Sequence, residues 1–218
     1  MILETHTAPP FFKNGYVLGC EVTRAAVVID PGDEVELLLG AVQRHELTPT
    51  AILLTHAHLD HVTGVRRAKD ALGGIPVWLH RDDNFLYDGV VQQGAMFGLR
   101  VEPQPPIDSF YADGQTIRFG EYEISVHHTP GHCPGGVALA VNGDPRTKGP
   151  SDRRLLIVGD TLFAGSIGRT DLPGGDAATL LRSIREVLFS FPDGTPVYSG
   201  HGEITTIGRE KRSNPFLI

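Results

Sequence analysis

The chain has 218 residues, 40% of them apolar, a formal net charge of −7 and only two cysteines. That is enough apolar material for one substantial core, so a single domain over 1–218 is expected; the acidic balance argues against nucleic acid as a partner, and two cysteines are too few for a secreted disulfide framework. No stretch approaches the roughly 20 consecutive apolar residues of a membrane span, and Met1-Ile2-Leu3-Glu4-Thr5-His6 has neither the basic start nor the apolar middle of a signal peptide, so a cytoplasmic protein with no membrane association is expected.

Residues 16–18 and 24–29 read as strands, the second stopped by Asp30-Pro31-Gly32. A helix follows, because Asp33 and Glu36 have the spacing of an N-cap and its N3 partner, and Val35, Leu38, Leu39 and Val42 recur on one face until His45. The apolar run Ala51-Ile52-Leu53-Leu54 is a strand that leads into Thr55-His56-Ala57-His58-Leu59-Asp60-His61, where three imidazoles and a carboxylate fall within six residues. That is the donor density of a metal site. Alternate residues leaving a strand point the same way, so His56 and His58 converge on one ion while Asp60 and His61 face a second position. Two such ions, roughly 3.5–4 Å apart in known two-metal sites, need a bridging ligand and closing histidines from elsewhere in the chain. A second helix is expected from about His61 to Leu72, ending at Gly73-Gly74.

Of the remaining histidines, His132 and His201 stand out by context. Residues 121–128 alternate Tyr122, Ile124, Val126 and His128 with more polar neighbours, as a half-buried strand does, and lead into Thr129-Pro130-Gly131-His132. Strands at 137–141 and 155–158 flank 142–154, a Gly-, Pro-, Asp-, Arg- and Ser-rich stretch that reads as an exposed hairpin loop. The run Leu155-Leu156-Ile157-Val158 is apolar enough to be buried on both faces and ends at Asp160. The glycine-rich stretch 164–175 that follows is expected to contact substrate. Asp176 caps a third helix with an apolar stripe of Leu180, Leu181, Ile184, Val187 and Leu188, and Pro196-Val197-Tyr198 is a last strand before His201. Four strands thus run into turns carrying His or Asp, and strand ends that share one sheet edge can gather such residues into one dinuclear site. Cys133, next to His132, is expected to be structural, since the His/Asp set is complete without it.

Together T-H-x-H-x-D-H, H-T-P-G-H, G-D-T-L-F-A-G and G-H-G resemble the metallo-β-lactamase superfamily over nearly the whole chain, and 159–171 with the tail 208–216 resemble the short bacterial glyoxalase II-like hydrolases. The resemblance implies an α/β fold, the αββα four-layer sandwich. It assigns His56, His58 and His132 to one metal, Asp60, His61 and His201 to the other, and Asp160 to the bridge. A bridging aspartate weighs against the antibiotic-hydrolysing branch. The chain ends seventeen residues after His201, which leaves no room for the C-terminal helical domain of the longer glyoxalase II enzymes, so glutathione as the thiol portion is put in doubt.

Two divalent ions sharing a water lower its pKa from 15.7 toward about 7, which yields a hydroxide nucleophile without a separate base. Asp60 then serves as ligand and as catalytic orienter of that hydroxide. Zinc is the default for such ligands, with iron and manganese compatible. The resemblance implies a small-molecule thioester such as S-lactoylglutathione, whose thiolate departs without strong acid assistance; lactones make similarly low demands. Arg169, Arg209, Lys211 and Arg212 lie close in sequence to Asp160 or His201 and favour an anionic substrate. The competing reading is an oxidoreductase, because His56, His132 and Asp160 alone make the two-histidine, one-carboxylate set of a mononuclear non-haem iron, as in persulfide dioxygenases of the same superfamily. A purely structural zinc domain fits poorly, since such sites are cysteine-rich and closed.

Overall fold

The computed structural model describes residues 1–143 and 154–218. The chain divides into two compact units, the first 1–111 with 119–121, the second 112–118 with 122–218. The expected hairpin loop at 142–154 lies largely outside the described residues.

The first unit is built on a six-stranded sheet. Strands β1 (Ile2–Ala8), β2 (Lys13–Gly19) and β3 (Ala25–Ile29) pair antiparallel, then β4 (Thr48–Leu53), β5 (Val77–Leu79) and β6 (Ser109–Phe110) add in parallel. Parallel neighbours need crossovers, and helix α1 (Val35–Arg44) is the one between β3 and β4. Its Leu38, Ala41 and Val42 pack with Val17, Ala26, Val28 and Leu47 in a buried cluster, each large apolar side chain contributing roughly 1.5–3 kcal/mol.

Two expectations for this unit are corrected. The cap of α1 is Glu34, not Asp33, and no side chain caps it. The Asp33 carboxylate instead accepts from the Thr63 hydroxyl at 3.2 Å, while Glu36 pairs with Arg67 at 2.5 Å. The helix expected from His61 to Leu72 is two helices, α2 (Leu59–Val62) and α3 (Val65–Ala71). Gly64 breaks it because its N–H is spent on the Pro31 carbonyl at 3.0 Å and a Cβ there would lie 2.4 Å from the Gly32 carbonyl oxygen. Helices α4 (Asn84–Asp88) and α5 (Val90–Met96) follow β5; too short for a legible 3.6-residue period, they escape a sequence reading.

The second unit carries another six-stranded sheet, ordered β14 (Thr205–Thr206), β13 (Pro196–Tyr198), β10 (Leu155–Ile157), β9 (Val137–Gly143), β8 (Tyr122–His128) and β7 (Thr116–Phe119). Here β10 and β13 run parallel, and a helix connects them: α6 (Ala177–Glu186). Leu180 and Ile184 of α6, with Leu188 in the short 3₁₀ turn beyond it, pack against Ala138, Ala140, Leu156 and Val197. The expected cap is present, as Asp176 accepts from the Thr179 N–H at 2.7 Å. Asp176→Ala should lower the midpoint of chemical denaturation; an unchanged midpoint would show the cap to be idle. A small hairpin of β11 (Leu162–Phe163) and β12 (Ser166–Ile167), and the C-terminal helix α7 (Ile207–Ser213), complete the unit. Among the described residues no helix is long and apolar enough to cross a membrane.

Candidate metal centre

The first unit holds His56, His58, Asp60 and His61, all buried. The chain leaves β4 and must turn into α2 while its backbone is out of water, so neighbouring side chains satisfy it. Asp30 accepts the Thr55 N–H at 2.7 Å, Asp83 accepts that of Ala57 at 3.0 Å, and Gln93 accepts that of Leu59 at 3.0 Å while donating to the Ala57 carbonyl at 3.0 Å. Asp30 also fixes two rings. Its Oδ2 accepts from His61 Nδ1 at 2.9 Å and from the Thr55 hydroxyl at 2.6 Å. That hydroxyl, its proton given to Asp30, accepts from His56 Nδ1 at 3.2 Å. With Nδ1 protonated in both rings, each Nε2 carries the lone pair a metal needs.

The ring centroids of His56 and His61 are 4.0 Å apart and those of His56 and His58 4.9 Å, and Asp60 Oδ2 is 3.7 Å from His61 Nε2.

The second unit holds His132, Asp160 and His201. The H-T-P-G-H turn is clamped to α6: Ser183 donates to the Pro130 carbonyl at 2.7 Å and the Asp176 N–H to that of Gly131 at 2.8 Å. Gly131 has φ +133°, and a Cβ there would lie 2.2 Å from the Leu180 nitrogen, so only glycine fits. His132 Nδ1 donates to the Arg169 carbonyl at 2.7 Å, which leaves its Nε2 as the donor to an ion. One carboxylate oxygen then serves two rings, since Asp160 Oδ2 is 3.7 Å from His132 Nε2 and 3.5 Å from His201 Nε2. These gaps are too long for hydrogen bonds and suit donors that each sit about 2 Å from a cation.

The four cationic candidates are drawn to nearby carboxylates. Arg169 grips Asp171 through two contacts of 2.7 Å and holds that exposed carboxyl down to about 2. Lys211 and Arg212 share Asp193 at 3.0 and 3.4 Å, and the exposed Arg209 has Nε 3.9 Å from Glu210. Arg169 matters to the site through its carbonyl. The tail matters through Glu210 and Asn214: buried Glu210 accepts the Gly165 N–H at 2.9 Å, and Asn214 donates to the Ser166 carbonyl at 3.0 Å, holding the β11–β12 hairpin that leads to Arg169.

Sequence reasoning missed Asp30, Asp83, Gln93, Glu210 and Asn214. Only Asp30 carried a signal, as an acid ending a buried strand beside the motif. Asp30→Asn replaces an acceptor facing His61 by an N–H₂ group, and metal affinity in a chelator competition should fall about tenfold; unchanged affinity would remove Asp30 from the site.

The family model of the metallo-β-lactamase superfamily matches residues 8–201. The chain belongs to this superfamily. Among curated relatives of this metallo-β-lactamase superfamily member, the hydroxyacylglutathione hydrolase GloC of Haemophilus influenzae is 38% identical over 199 residues, 88% of this chain and 87% of GloC. Among solved structures, BLEG-1 B3 metallo-β-lactamase superposes with a TM-score of 0.86 at 38% identity over 99% of each chain. TTHA1623 in a di-iron-bound form superposes with a TM-score of 0.83 at 42% identity, over 98% of this chain and all of that one. The expected metallo-β-lactamase fold is therefore shown, as is membership in a metallohydrolase superfamily.

Proposed function

We propose that the protein is a dinuclear-metal hydrolase of acyl-thiol substrates, with His56, His58 and His132 holding one ion, Asp60, His61 and His201 the other, and Asp160 shared by both. The observation that carries this reading is the Asp160 oxygen set 3.7 and 3.5 Å from the ring nitrogens of His132 and His201, the two histidines assigned to different ions. The relative named hydroxyacylglutathione hydrolase supports the substrate class.

When bound, two divalent ions supply an acidified water at neutral pH and polarisation of a carbonyl. The chain's own residues do the rest. Asp30, Thr55 and the Arg169 carbonyl hold Nδ1 protons in place, so His56, His61 and His132 present Nε2 without searching rotamers. Asp60, with its side chain largely buried, orients the attacking water and accepts its proton. A leaving thiolate, with a pKa near 8.5, needs no strong acid, and the proposal names none. Arg169, Arg209, Lys211 and Arg212 would favour an anionic substrate, each by yielding its present carboxylate partner. Zinc is the proposed metal and the cytoplasm the proposed location.

A second reading starts from the metal: TTHA1623, 42% identical, is in a di-iron-bound form, so iron in place of zinc is the alternative, and with it the oxygen chemistry of the non-haem iron set. Elemental analysis of protein purified without added metal, then a panel of S-lactoylglutathione, a lactone, a β-lactam and glutathione persulfide, separates the readings. Two ions per chain with thioester hydrolysis is the expected result. One iron per chain, with oxygen consumed on the persulfide and no thioesterase activity, would replace the hydrolase by a dioxygenase; β-lactam turnover alone would move the substrate class.

A further inference from the structure

Lys13 and Glu34 form an ion pair in which both side chains are 1% exposed, with Lys13 Nζ 2.6 Å from Glu34 Oε1. Two charges removed from water at this depth gain little net stability over an apolar pair of the same volume. What charge adds is direction. Lys13 Nζ also donates to the Asp30 carbonyl, and Glu34 Oε1 accepts the Gly32 N–H at 2.9 Å, so the pair staples both ends of the turn 30–34.

That turn holds Asp30 at φ +49°, in the left-handed region that few residues other than glycine, asparagine and aspartate adopt. Its carbonyl is pinned by Lys13 on one side while its carboxylate reaches Thr55 and His61 on the other. Space around the pair is cleared by two glycines. A Cβ at Gly15 would lie 2.1 Å from Glu34 Oε1, and one at Gly32 would lie 1.9 Å from the Asp60 carbonyl oxygen and 3.0 Å from Lys13 Cε. The pair is therefore packed against the turn that meets Asp60 and bonded to the residue that orients His61 and, through Thr55, His56.

We propose that the buried Lys13–Glu34 pair is a positioning device for the metal ligands: by fixing the backbone of Asp30 it sets the ring orientation of His61 and, through Thr55, of His56 before any ion arrives. Its role rests on the metal-binding reading above.

The test uses the full chain with Lys13→Met and Glu34→Gln together, which removes both charges, keeps side-chain volume and retains the oxygen that accepts from Gly32. Three quantities are measured against wild type: the urea midpoint without metal, the His61 Nδ1–H signal in the proton NMR spectrum of metal-free protein, and the apparent Kd for Zn²⁺ by competition with a chromophoric chelator. A folded variant whose His61 signal moves or vanishes and whose Zn²⁺ affinity falls at least about tenfold supports the device. Wild-type affinity in the folded variant overturns it, and so does an affinity loss with the His61 signal unchanged. Should the neutral pair not fold, Lys13→Arg, which keeps the charge and moves it, is read by the same three measurements. Failure of the wild type itself to bind Zn²⁺ or iron would instead sink the metal-binding reading and the device with it.

Discussion

Asp160→Asn should drop the metal content from two ions per chain to one or fewer, and lower turnover of whichever substrate the panel identifies by more than about 100-fold, since losing a ligand exceeds the 10- to 100-fold typical of its supporting groups. The change is nearly isosteric, so the fold should survive, but it replaces a charged oxygen that faces two imidazole nitrogens at 3.5 and 3.7 Å by half an amide. A neutral amide cannot offset the charge of two cations. Elemental analysis, with circular dichroism as the check on folding, reads the result. A variant that keeps two ions and most of its activity would show that Asp160 is not the shared ligand.

Gly168→Ala should be nearly as damaging although it removes no ligand and no side chain. An alanine Cβ at this position would lie 1.9 Å from the Asp160 carbonyl oxygen and 3.1 Å from His132 Nδ1. Backbone cannot give way cheaply, so the chain must move Asp160, His132 or both, and displacements near 1 Å cost on the order of 100-fold in rate. The neighbouring Arg169 carbonyl would lose its 2.7 Å bond to His132 in the same movement. Steady-state kinetics on the metal-loaded enzyme, beside Gly194→Ala as a turn substitution with open space around the new Cβ and no left-handed backbone, separates crowding from general loop damage. Equal effects from the two substitutions would reject the close approach as the cause.

The seven ligand candidates were legible because strand-ending turns dense in His and Asp leave few bland explanations. Within the first unit the structure gathers His56, His58, Asp60 and His61, and within the second it gathers Asp160 with His132 and His201. Their supporting groups were not legible. Asp83 and Gln93 sit in short helices whose sequence gives no period, and they matter only because the fold lays them against the N–H groups of Ala57 and Leu59. Lys13 and Glu34 look like solvated charges in a linear reading and are among the most deeply buried groups in the protein.

By itself the sequence carried the superfamily, through the resemblance of its motifs, and it carried the donor-dense turns with about half of the regular elements, because apolar periodicity and donor spacing are local properties of the chain. Tertiary structure alone decided that Gly64 splits the helix after the motif, that Glu34 rather than Asp33 heads α1, and that Arg169 acts on His132 by its carbonyl while its side chain holds Asp171. Those outcomes depend on which backbone atom lies within hydrogen-bonding reach of which side chain. Residues far apart in sequence acquire that proximity only when the chain folds.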